Sequence, residues 1–325
     1  MRYLITGGAG FIGSHLAERL VNEGNDVWVI DDLSTGSITN IDALEGKPNF
    51  HFRLGSVLDE ELVGPMVDRV DFVFHMAAAV GVKLIVTNPV RTIETNIRGS
   101  EVVLQAAARK SKPVMIASTS EVYGKGVKVP FSEDDDLRLG PTTKSRWGYA
   151  CSKAIDEYLA LAYVRERELP VLIARLFNTV GPRQTGRYGM VVPTFVRQGM
   201  RGEPITVYGD GEQQRCFADV ADVVEAVLRL SKTPDAHGQV FNVGSDREIS
   251  INGLAKLVCD ATGGKSKIQH VPYSEAYDEG FEDLMRRIPD VRKLERVTGY
   301  RPQTTIERIV ERVLEWERAH GSNES

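Results

Sequence analysis

Short apolar runs alternate along this chain with longer stretches in which apolar positions recur every three to four residues. Residues 2–6, 26–30, 50–54, 71–75, 113–117 and 170–175 read as strands, and 11–23, 92–109 and 148–168 as helices between several of them. The strands are apolar almost throughout, not at alternate positions, as strands covered on both faces are. This alternation predicts an α/β fold with a doubly wound parallel sheet and right-handed crossovers. After residue 177 the rhythm breaks. Residues 178–214 are rich in Gly, Pro and Arg, a helical pattern returns at 219–232 and a strand at 239–243, and the remainder is mixed and more charged. The expected organisation is a larger lobe, 1–177 with 215–247, and a smaller C-terminal lobe, 178–214 with 248–325.

A chain of 325 residues, 42% of them hydrophobic, can build a sizeable core. Its net charge of −5 offers no basic surplus for nucleic acid or an anionic membrane surface, so an anionic ligand must be held by a few local arginines. Cys151, Cys216 and Cys259 are scattered and form no CxxC pair, which predicts reduced thiols and no metal site. No apolar run is long enough to span a bilayer and no signal-peptide pattern opens the chain, so the expected location is the cytoplasm.

Three local patterns carry chemistry. Thr6-Gly7-Gly8-Ala9-Gly10-Phe11-Ile12-Gly13 follows the first strand and opens the first helix, with Gly7, Gly10 and Gly13 at G-x-x-G-x-x-G spacing. Such a turn brings backbone N–H groups and a helix N-terminus against a pyrophosphate. Asp31, with Asp32 beside it, ends the second strand, where an acid accepts from ribose hydroxyls and repels a 2′-phosphate; the pattern favours NAD over NADP. Farther on, Tyr149 and Lys153 stand at i and i+4, on one face of a helix. An ammonium beside a phenol favours phenolate, which lowers the tyrosine pKa from ~10 and suits it to remove a hydroxyl proton. A third feature, Ser118-Thr119-Ser120-Glu121, places hydroxyls and a carboxylate at the end of a core strand.

With these features the chain resembles the extended short-chain dehydrogenase/reductases, the NAD-dependent nucleotide-sugar epimerases, dehydratases and decarboxylases. The resemblance runs through TGGAGFIGSHL at 6–16, HMAA at 75–78, Asn96, STSEVYG at 118–124, YACSK at 149–153, FNTVGPRQ at 177–184, VYGDGEQQR at 207–215 and RRIPD at 286–290. It implies a Rossmann lobe holding NAD, a smaller nucleotide-sugar-binding lobe, and passage through a 4-keto sugar. Tyr149 would be the base, Lys153 its partner, and Thr119 a hydrogen-bond donor to the reacting hydroxyl. Gly7, Gly10, Phe11, Ile12, Gly13, Asp31 and Asp32 would hold the cofactor together with Tyr149 and Lys153. Arg215, Arg287, Asn178, Arg183 and Lys83 would hold a UDP-sugar. His75 reads as structural.

The triplet Thr119-Ser120-Glu121 is similar to that of UDP-glucuronate decarboxylases, in which the residue at Glu121 would relay a proton to C5 or act by its charge. That makes UDP-glucuronate decarboxylase the nearest pattern. Ser56 after Gly55, and the loop Ala79–Lys83, depart from it. The loop resembles that of epimerases acting on uronic acids, which keeps a UDP-sugar 4-epimerase as the alternative. A non-catalytic NAD-binding sensor would not need the intact Tyr149–Lys153 pair. The family resemblance also implies a homodimer through the helices at 92–109 and 148–168.

Overall fold

The structure, a computed structural model, describes residues 1–79, 87–185, 190–276 and 285–321. The main elements begin with β1 (Arg2–Thr6), α1 (Phe11–Asn22), β2 (Asp26–Asp31), β3 (Phe50–Leu54), α2 (Glu60–Arg69), β4 (Phe72–His75), α3 (Pro89–Ala108), β5 (Val114–Thr119), α4 (Arg146–Arg167) and β6 (Val171–Leu176). They continue with β7 (Thr179–Val180), α5 (Val191–Arg201), β8 (Ile205–Tyr208), β9 (Gln214–Cys216), β10 (Ala218–Asp219), α6 (Val220–Ser231) and β11 (Val240–Val243). The last are β12 (Glu248–Ser250), α7 (Ile251–Ala261), β13 (Ile268–Val271), β14 (Arg286–Arg287), α8 (Arg292–Thr298) and α9 (Ile306–His320).

Seven parallel strands form the central sheet in the order β11-β6-β5-β4-β1-β2-β3. Successive residues of a strand face opposite sides, and both sides are dry. Tyr3 and Ile5 pack with Leu16 and Leu20 of α1 and with Val223 and Val227 of α6. Leu4 packs on the other face with Val63 and Val67 of α2 and Val103 and Ala107 of α3. The doubly wound sheet predicted from the apolar runs is present. Because β1 lies between β2 and β4, the chain reverses its direction of winding there. The crevice beyond the C-terminal ends of β1 and β4 is therefore the natural ligand site of such a sheet.

A second core joins Val192, Phe195 and Val196 of α5, Leu254 and Val258 of α7, and Ile309 and Val313 of α9. Two small sheets, β12-β9-β14 and β13-β8, accompany it. The chain is more interwoven than the expected division: α8 lies inside the stretch given to the smaller lobe, yet its Leu294 packs into the central-sheet core. The helix α2 goes unread in the sequence because Gly64 and Pro65 interrupt it. It forms because Asp59 caps it, accepting from the N–H groups of Glu61 and Leu62 at 3.0 and 3.1 Å, and because Val63, Met66 and Val67 are buried. Among the described residues no helix is long and apolar enough to cross a membrane.

Candidate active site

A cavity of about 740 Å³ runs from the glycine turn, past the ends of β4, β5 and β6, to the smaller lobe. The turn is built for close approach. Gly7 has φ +69°, and a Cβ on it would lie 2.7 Å from the Ala77 backbone; a Cβ on Gly13 would run into the Gly7 carbonyl. With no side chains in the way, the unpaired N–H groups at the start of α1 border the cavity beside Phe11 and Ile12. Asp31 accepts from the N–H groups of Ala9 at 2.9 Å and Leu33 at 2.8 Å, so its carboxylate is fixed at the cavity wall next to Asp32. Burial pushes the Asp31 carboxyl above its ordinary range. A phosphate cradle with an anchored acid one strand away fits a dinucleotide with free ribose hydroxyls.

Beside the C-terminal end of β5, Tyr149 and Lys153 of α4 reach the cavity, both buried. Thr119 hydrogen-bonds the Tyr149 hydroxyl and also caps the following turn, accepting from the Glu121 N–H at 3.2 Å. Ser120 is buried in that turn and lines the cavity. The Ser118 hydroxyl donates elsewhere, to Glu157, which pairs with Arg175. The expected lowering of the Tyr149 pKa is not found in the ligand-free protein. Burial pushes the phenol up, and the nearby Glu121 and Asp156 carboxylates add to that, against the Thr119 hydrogen bond. Lys153 meanwhile donates to Asp156 at 2.6 Å. Phenolate at Tyr149 therefore needs a further positive charge in the cavity.

Glu121 is clamped. One carboxylate oxygen accepts from Arg287 and the other from Arg146 Nη2 at 3.2 Å. Despite burial, the two guanidiniums pull the Glu121 carboxyl down to about 2. Its ionised form is favoured, which suits the electrostatic role expected of Glu121. Arg146 is the site residue that sequence reading misses. It lies one turn before Tyr149 on α4, where only the fold turns it towards Glu121.

Of the residues expected at the substrate, Arg215 and Arg287 sit side by side in the β9–β14 pairing, and both line the cavity. Among the described residues the buried Nε of Arg287 has no hydrogen-bond partner. Asn178 also lines the cavity and donates to the Cys216 carbonyl at 3.0 Å, linking the end of β6 to β9. Arg183 is placed otherwise: it pairs with Glu18 at 2.5 Å, lies over the Trp316 ring and is absent from the cavity wall. Lys83 lies outside the described residues. His75 is buried under the site between Thr6 and Ser100, at 2.8 and 3.2 Å, and burial pushes it down to about 3, so it is neutral. Among the described residues no group of three or more His, Cys, Asp or Glu could hold a metal ion.

A family model described as GDP-mannose 4,6 dehydratase matches residues 4–313. The UDP-N-acetyl-alpha-D-glucosaminuronate decarboxylase of Bacillus cytotoxicus is 43% identical over 97% of both chains. UDP-glucuronic acid decarboxylase 1 of Xenopus tropicalis is 35% identical over 97% of this chain and 72% of its own length. Among solved structures, the Thermus thermophilus UDP-glucose 4-epimerase in complex with NAD superposes with a TM-score of 0.84 at 29% identity, covering 98% of this chain and all of that one. The cradle, the Tyr149–Lys153 pair and these matches agree: the chain belongs to the GDP-mannose 4,6-dehydratase family of extended short-chain dehydrogenase/reductases, NAD-dependent enzymes of nucleotide sugars.

Proposed function

We propose that this enzyme decarboxylates a UDP-linked uronic acid through a 4-keto intermediate. The observation that carries the reading is Glu121, held ionised between Arg146 and Arg287 at the cavity wall, next to the Thr119–Tyr149 contact. A 4-epimerase exchanges hydride and has no use for two guanidiniums there. A uronic acid has a carboxylate at C6, two carbons from the reacting C4, and planar guanidiniums suit it. The decarboxylases among the relatives support the same choice. They act on both a glucuronate and its 2-acetamido analogue, and both share this C6 chemistry.

NAD, when bound in the glycine cradle, supplies the hydride acceptor and donor at C4. Tyr149 removes the C4 hydroxyl proton, with Thr119 holding the oxygen. The ketone so formed makes C6 a β-keto carboxylate. Its C5–C6 bond breaks to release CO₂ and leaves an enolate on the C4 oxygen, which Tyr149 and Thr119 stabilise by hydrogen bonds; a proton then adds at C5, and return of the hydride to C4 with the proton held by Tyr149 going to the C4 oxygen gives the pentose. Arg287, Arg146 and Glu121 set the charge around the carboxylate before it leaves. Arg215 and Asn178 hold the diphosphate side. Two copies pair through α3 and α4.

Incubation with UDP-glucuronate, and separately with its 2-acetamido analogue, tests the reading. The expected result is CO₂ release and a UDP-pentose product lighter by that one molecule. A product of unchanged mass inverted at C4 would make this an epimerase.

A further inference from the structure

Lys153 does not serve Tyr149 alone. Its ammonium meets Asp156 Oδ2 at 2.6 Å, three residues along α4, and the two side chains are 3% and 0% exposed. No motif considered above assigns a role to Asp156. Its other carboxylate oxygen, Oδ1, is buried with no hydrogen-bond partner among the described residues, and Ser100 of α3, which meets His75 of β4 at 3.2 Å, favours the ionised carboxylate. Thr6, His75 and Ser100 are joined by hydrogen bonds under the site, beside the Asp156–Lys153 pair.

Few other charges reach the pair. From α4 itself comes Glu157, engaged by Arg175 of β6 and Ser118 of β5. From the turn after β5 comes Glu121, engaged by Arg146 and by Arg287 of β14. His75, on β4, is neutral. Among the described residues Asp156 is therefore the carboxylate in contact with Lys153.

We infer that Asp156 is a positioning residue of the Tyr149–Lys153 pair, fixing the lysine ammonium in place and holding a carboxylate beside the phenol. An ammonium buried without a counter-charge tends to lose its proton, and an anion at contact distance reverses that tendency. The same anion opposes phenolate at Tyr149. Asp156 acts on the ionisation of Tyr149 through its charge. A neighbouring negative charge raises the pH of that step, and its removal lowers it. Removal also frees the lysine side chain from its anchor, so the maximal rate falls.

The inference rests on Tyr149 being the base, and the test separates the two. Holoenzyme carrying D156N, D156E or Y149F is titrated by tyrosinate ultraviolet absorbance, and kcat/KM is measured against pH. Y149F should lose about 10²-fold or more in turnover and the tyrosinate step assigned to the site. D156N should move that step, and the acid limb of kcat/KM, to lower pH by about one unit or more, and D156E should restore them. If D156N does not fold, D156S carries the same expectation. An active Y149F enzyme would overturn the choice of base. An inactive Y149F enzyme together with an unmoved step in folded D156N or D156S would overturn the role of Asp156 alone.

Discussion

Glu121 shows how one side chain takes its character from its neighbours. Burial alone would keep its carboxyl protonated, yet Arg287 and Arg146 outweigh burial and bring it to about 2 from the ordinary 4.5. A carboxyl lowered in this way stabilises the fold fully above its unfolded value of about 4.5, and the contribution disappears as pH falls towards about 2. E121Q removes the charge and leaves Arg287 buried without its partner, a loss of the kind that is strongly destabilising. E121Q should therefore melt below the wild type at neutral pH, and the gap in Tm should close as pH is lowered from about 4.5 to about 2. Thermal unfolding of both proteins across that range checks it. A gap that stays constant would mean that the ion pairs do not contribute.

At the scale of elements, what the sequence makes legible is what lies close together along the chain. The glycine turn spans eight residues and the Tyr149–Lys153 pair five, so each carries its own geometry once a strand and a helix are recognised. The inner strands of the central sheet are legible because burial on both faces leaves them apolar throughout, whereas the short strands of the smaller lobe, such as β9 and β14, carry no such pattern. The clamp was not legible as a unit. Glu121 and Arg287 are 166 positions apart, and no local pattern links β5 to β14. Asp156 is local, at i+3 from Lys153, yet an acid on a helix usually faces water, and only its complete burial marks it. The two long helices also leave an apolar stripe: Val90 and Ile93 of α3 and Ile155 and Tyr158 of α4 are exposed. The stripe supports pairing of two copies there. Tyr158→Glu should shift the protein from dimer to monomer in sedimentation while leaving its fold intact. A wild type that sediments as a monomer at micromolar concentration would contradict the pairing.

For the whole molecule, the site exists because two cores meet. The central sheet brings the glycine cradle, Thr119, Glu121, Arg146, Tyr149 and Lys153 to one edge, and the smaller lobe brings Arg215 and Arg287 on adjacent strands to face them. In the proposed reaction, oxidation at C4 depends on the glycine cradle, Thr119, Tyr149 and Lys153, and handling of the C6 carboxylate on the clamp of Glu121, Arg146 and Arg287. The central claim is that the Glu121 clamp serves the steps after oxidation. The direct measurement is absorbance of NADH on the E121Q holoenzyme during turnover of the UDP-uronate it accepts, with CO₂ followed in parallel. The account predicts that NADH builds up while CO₂ release slows. Wild-type turnover by E121Q, with no NADH accumulating, would contradict it.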